Sequence, residues 1–123
     1  MASGKDMFRY EYREKDDVLV GVISAPNMDK DEAFQIFAYA ESEMPQQPKH
    51  SHFILDARTV KSVSDPAIGI LMKSLSVLQK VKGYMILVMT ESLLQDVMLR
   101  HPAMFDYYAV FHSIEDAVTF AKK

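Results

Sequence analysis

The chain has 123 residues, 49% hydrophobic and 25% charged, with a net charge of -3. That is the composition of one globular domain with enough apolar mass for its own core, and it argues against a disordered chain. The absence of cysteine removes disulfides, cysteine nucleophiles and thiolate zinc sites together. No basic block stands out, so a nucleic-acid footprint is not expected. The longest apolar run, Tyr84 to Met89, spans six residues, far below the roughly 20 of a membrane span. The first residues carry no apolar signal segment, and the expected location is the cytoplasm.

Residues 1–6 read as a flexible lead. Phe8-Arg9-Tyr10-Glu11-Tyr12-Arg13 alternates large apolar and charged residues, the period of a half-buried strand. Glu14-Lys15-Asp16-Asp17 is a polar turn, and Val18 to Ile23 suits a central strand, so the two strands form a hairpin. Asp29 and Glu32 read as a capping box. Ala33, Ile36, Phe37, Ala40 and Met44 then fall on one face of a first helix, which Pro45 and Pro48 stop. His52 to Asp56 is the next strand. Ser64-Asp65-Pro66 opens a second helix, with proline in its first turn, running to Lys82-Gly83. Tyr84 to Met89 reads as a strand buried on both faces. Ser92 with Gln95 opens a helix to Arg100, Pro102 breaks it, and Tyr107 to Phe111 is a last strand. Ser113 with Asp116 starts the final helix. The order β-β-α-β-α-β-α-β-α predicts an α/β domain over residues 1–123. Its single mixed sheet has four to five strands, a leading hairpin plus parallel strands.

No catalytic constellation is visible. The four histidines, His50, His52, His101 and His112, lack the i, i+4 spacing of a helical metal site. Four glycines do not make a phosphate loop, and there is no G-x-S-x-G elbow. Asp56 and Thr90 close consecutive strands, where a phospho-acceptor receiver domain keeps functional groups. The acidic pair that such a domain needs after its first strand is missing at Ser24-Ala25-Pro26, and so is the lysine after the last strand. Asp56 reads instead as a hydrogen-bonding turn residue. Neither a cofactor nor a metal is expected.

The second helix is the informative segment. Ile68, Leu71, Met72, Leu75 and Leu78 form a stripe that should face the sheet, while Ile70, Val77 and Val81 gather on the opposite side near Ser74. Lys73 is the single charge from Ile68 to Gln79. An apolar cluster on a face expected to be polar reads as a docking stripe.

From His52 to Ala121 the sequence resembles the STAS domain of bacterial anti-sigma factor antagonists. The carriers are Phe53-Ile54-Leu55-Asp56, Val60, Val63, Ser64-Asp65-Pro66-Ala67-Ile68-Gly69-Ile70-Leu71, Lys82-Gly83-Tyr84-Met85-Ile86-Leu87-Val88, Phe105, and Ser113-Ile114-Glu115-Asp116-Ala117. The resemblance implies a sheet with helices mainly on one face. It also implies a non-enzymatic regulator that binds a protein partner, a serine-kinase-type anti-sigma factor, with a homodimer also open. In that family a kinase phosphorylates a serine at the start of the second helix, adding about -1.5 to -2 charges and releasing the partner.

This sequence departs from the pattern at that point. In the ungapped register anchored on Gly69, the family motif Asp-Ser-Ser-Gly falls on Ser64-Asp65-Pro66-Ala67, so its phosphorylated serine stands on Pro66, which has no hydroxyl. Ser62 and Ser64 are the nearest alternatives, and Ser64 also reads as a helix cap. The expected partner-binding residues are Asp65, Pro66, Ala67, Ile70, Lys73, Ser74, Val77 and Val81. A second reading is a small-ligand sensor for a nucleotide or lipid, with some of the nine methionines lining an adaptable pocket.

Overall fold

A computed structural model describes residues 3–78, 82–106 and 108–123. Its five-stranded sheet runs in the order β1-β2-β4-β6-β7, with β1 Phe8–Arg13, β2 Val18–Ile23, β4 His52–Asp56, β6 Met85–Val88 and β7 Ala109–Phe111. The β1–β2 hairpin is antiparallel, with Phe8 opposite Ile23 and Arg13 opposite Val18. All other neighbours in this sheet are parallel. The hairpin turns through a 3-10 segment that ends at Asp17, whose φ of 57° is left-handed. Two-residue strands β3 Asn27–Met28 and β5 Ser62–Val63 pair separately and in parallel.

Strand alternation divides the core in two. Leu19, Ile23, Phe53, Leu55, Met85 and Leu87 point to one face and pack under α2 Lys30–Glu43, α3 Asp65–Leu78 and α4 Glu91–Arg100. Val18, Val20, Val22, Ile54, Ile86 and Val88 point to the other, under Ala117, Val118 and Ala121 of α5 Ile114–Ala121. Three of the four long helices thus share one face. Strands β2, β4 and β6 are apolar at nearly every position because both of their sides are covered.

The expected caps close these helices, with one exception. Asp29 and Glu32 form the capping box of α2, and Ser113 accepts from Asp116 N at α5. The cap of α4 is Thr90, whose hydroxyl accepts from Leu93 N at 3.2 Å; the helix therefore begins ahead of Ser92. Strand β6 begins at Met85, and Tyr84 lies outside it and is exposed. Residues Gly4–Met7 form a one-turn helix, α1, against α2. The sequence places the end of the second helix at Lys82-Gly83; residues 79–81 lie outside those described, and Lys82 and Gly83 form a bend beyond α3. Of the expected last strand, Tyr107 lies outside the described residues and Tyr108 precedes β7, which starts at Ala109.

Gly21 is required by side-chain packing. Phe8 and Tyr10 meet edge to face at 4.9 Å, and Tyr10 meets Phe53 at 6.3 Å. A Cβ on Gly21 would stand 2.7 Å from Phe8 Cζ and 3.0 Å from Phe53 Cζ. Overpacking of this kind costs about 1–3 kcal/mol. Gly21→Ala should therefore lower the urea-unfolding free energy by about that amount, with the far-UV spectrum preserved; an unchanged midpoint would contradict this packing.

Candidate functional site

The strands leading into α2 and α3 are laced together. Ser62 Oγ donates to Asn27 Oδ1 at 2.8 Å, Lys61 N donates to Pro26 O at 2.7 Å, and Ser64 N donates to Met28 O at 2.9 Å. Both helices consequently start side by side, with the Ser64 hydroxyl close to the N-termini of both. Ser64 Oγ accepts from Ala67 N at 3.2 Å, which caps α3. The Ser64 hydroxyl also sits beside the carboxylate of Asp29, the cap of α2, and this proximity lowers the Asp29 carboxyl below its ordinary value.

Beside this clamp, Asp65 occupies the first position of α3. Its Oδ1 accepts from Arg100 Nη1 at 2.5 Å and lies 3.0 Å from His101 Nε2. Arg100 Nη2 also reaches Val63 O at 2.6 Å and Asp96 Oδ2 at 2.8 Å. The C-terminus of α4 is thereby tied to the mouth of α3. The His101 contact, followed by Arg100, lowers the Asp65 carboxyl. Asp29 and Asp65 therefore add stability above the ordinary carboxylate range, and that contribution is lost as the pH falls through their lowered values. Asp65 is engaged as an ion-pair partner, while the capping role belongs to Ser64.

The helix faces differ from the expected stripe. Ile68 and Leu75 are fully buried against the sheet, with Leu71 and Met72 half-buried. Ile70 and Ser74, however, turn toward α2, which packs alongside α3. Ser74 is 5% exposed and Ala67 is completely buried, so neither side chain is available to a partner in the folded chain. Ile70 is half-buried and packed on the core. An apolar position on the side away from the sheet is here a helix–helix contact, because α2 shares that layer. Pro66, Asp65 and Lys73 are exposed. The side chain of Val77 and the whole of Val81 lie outside the described residues.

A shallow groove of about 170 Å³ remains between α2 and α3, lined by Phe34, Phe37, Ala38, Glu41, Ile70, Lys73 and Ser74. Phe34 is 62% exposed on its rim. Sequence reading missed Phe34; the signal was its place one residue outside the buried face set by Ala33, Ile36, Phe37 and Ala40.

The other polar positions have local partners. Asp56 Oδ1 accepts from Arg58 N at 3.1 Å and from Nε at 2.9 Å, while Oδ2 accepts from Nη2 at 2.9 Å. This is the turn role read from sequence. His52 Nδ1 accepts from Tyr84 N at 2.9 Å, and His112 Nδ1 lies 2.8 Å from Met89 O. Among the described residues no group of three or more His, Asp or Glu side chains could hold a metal ion, and no helix is long and apolar enough to cross a membrane.

Met28, Met89 and Met104 line an apolar cavity between the sheet, α3 and α4, but its free volume is about 30 Å³. That is room for about two water molecules, too small for a nucleotide or an acyl chain. These methionines are core residues.

No family model matches the sequence, and no curated protein matches it. Solved structures do match its fold. An anti-sigma factor antagonist from Mycobacterium paratuberculosis superposes with a TM-score of 0.74 at 17% identity, covering 94% of this chain and 93% of its own. An anti-sigma-factor antagonist (STAS) domain protein from Planctomyces limnophilus gives 0.71 at 14% identity, with 98% of each chain covered. The Bacillus cell fate determinant SpoIIAA in its phosphorylated form gives 0.59 at 16% identity, over 92% of this chain and 97% of its own. The chain has the STAS fold of these anti-sigma factor antagonists.

Proposed function

We propose that the chain is a non-enzymatic regulatory domain, an anti-sigma factor antagonist that binds a serine-kinase-type anti-sigma factor in the cytoplasm. The binding surface is the α2–α3 groove together with the exposed mouth of α3. One observation carries this reading: Phe34, 62% exposed, stands at the rim of a groove floored by Ile70 and flanked by Lys73 and Glu41. An exposed aromatic beside a partly desolvated pocket, with charges at the rim, is how hot spots are built. Asp65, Pro66 and Lys73 lie exposed on α3, the helix that contributes Ile70 and Lys73 to this groove.

Control differs from the phosphoserine switch. Pro66 has no hydroxyl, and the Ser64 hydroxyl caps Ala67 N with the Asp29 carboxylate beside it. A phosphate on Ser64 would stand against the Asp29 carboxylate, so like-charge repulsion opposes its addition. Ser62 is tied to Asn27. The domain accordingly acts as a constitutive binder as far as this segment is concerned.

Two outcomes follow. Incubation with a purified serine-kinase-type anti-sigma factor from the same genome should leave residues 62–66 without phosphate; mass spectrometry detecting phospho-Ser64 or phospho-Ser62 would overturn the constitutive reading. In calorimetric titration with that factor, Phe34→Ala should weaken binding tenfold or more. Its unfolding free energy should stay within about 0.5 kcal/mol of the parent, as for other surface substitutions. No complex with any such factor, or an unchanged affinity in the variant, contradicts the proposed surface.

A further inference from the structure

The outer edge of the sheet at β1 has an unused ladder. Met7 O accepts from Ser24 N at 2.8 Å, one step before the Phe8–Ile23 pair. Antiparallel pairs alternate between bonded and non-bonded. Arg9, Glu11 and Arg13 therefore bond to β2, and the N–H and C=O groups of Phe8, Tyr10 and Tyr12 point away from the sheet. None of the backbone hydrogen bonds made outside the helices and strands among the described residues reaches these three. The opposite edge, β7, has three residues against six in β1, so β1 is the longer template for an added strand.

We propose that a second copy of this chain pairs antiparallel with β1 across a two-fold axis at Tyr10, joining two sheets into one of ten strands. The occupant is selected by charge. Outward-pointing groups must face each other, which restricts the register to those that set Phe8, Tyr10 and Tyr12 against the same set of the partner. With the axis at Tyr10, Arg9 stands opposite Glu11 of the partner subunit, and Glu11 opposite Arg9 of the partner subunit. Phe8 is 2% exposed and stays in the core, so the contact centres on Tyr10 and the two charges that flank it. Shifting the axis by one residue brings either Arg9 against Arg9 of the partner subunit or Glu11 against Glu11 of the partner subunit, and like charges directly opposite are destabilising.

The side chains needed are accessible. Arg9 and Glu11 are 60% and 54% exposed and face each other loosely at 3.8 Å within one strand. Tyr12 is 40% exposed and would be covered by the partner. Alternating charge on an edge strand is ordinarily a guard against pairing. Here the order Arg9, Tyr10, Glu11 reads as its own complement when reversed, and the contact is isologous and closed. The proposal uses no residue of the α2–α3 groove, so either can fail without the other.

Sedimentation equilibrium over a concentration series, with thermal melts in parallel, provides the test. The parent chain should sediment as a monomer–dimer equilibrium whose dimer weakens with added salt. Arg9→Glu and Glu11→Arg should each weaken the dimer tenfold or more without moving the melt, because both side chains are exposed. The double variant Arg9→Glu with Glu11→Arg should return to within about threefold of the parent, since the swap restores both cross-strand pairs. A parent that stays monomeric at millimolar concentration, single reversals that leave the dimer unchanged, or a double variant that fails to recover would each overturn the proposal.

Discussion

Everything at the proposed binding end depends on one hydroxyl set between two helix starts. Ser64 caps α3 through Ala67 N and lies beside the Asp29 carboxylate that caps α2, lowering its pKa. Around it, the β3–β5 pair and the Ser62–Asn27 bond fix the two segments in parallel register. Because the helix starts are fixed together, α2 and α3 lie side by side over the same sheet face, and Phe34 and Ile70 come to line one groove.

The same constraint explains which residues are free to act. Ala67 is buried because it follows the cap into the first turn of α3, and Ser74 because it faces α2. Asp65 is turned outward and held by Arg100 and His101. Its charge is thus largely compensated by α4, and a partner would meet an ion-pair cluster at this point in place of a bare carboxylate. The α5 side of the sheet is built differently: Asp56, Arg58, Glu11, Arg13 and Glu115 line an open polar cleft of about 430 Å³. Charges of both signs compensate each other there, and every side-chain hydrogen bond of Asp56 among the described residues goes to Arg58.

Much of the fold was legible because local signals carry it. The alternation of Phe8 to Arg13, the box of Asp29 and Glu32 and the cap at Ser113 each predicted an element that formed. The sheet type followed from element order, and the five-stranded STAS architecture agrees with it. What failed was non-local. Two-residue strands such as β3 and β5 have no periodicity to read. Thr90 and Ser92 are both competent caps, and only the end of β6 decides between them. The stripe at Ile70 and Ser74 looked unpartnered because a helical wheel shows which residues share a face, not which neighbour covers it. The Asp65–Arg100–His101 cluster joins positions 35 and 36 residues apart, and no spacing rule connects them.

The central claim is that the Ser64 hydroxyl is a structural clamp rather than a regulatory acceptor. Chemical denaturation of Ser64→Ala, measured alone and in an Asp29→Asn background, tests it most directly. Loss of the cap should lower the unfolding free energy of the single variant by about 1 kcal/mol. In the Asp29→Asn background the same substitution should cost clearly less, because groups in contact are not additive. A Ser64→Ala variant as stable as the parent, or one whose cost is the same in both backgrounds, would contradict the clamp.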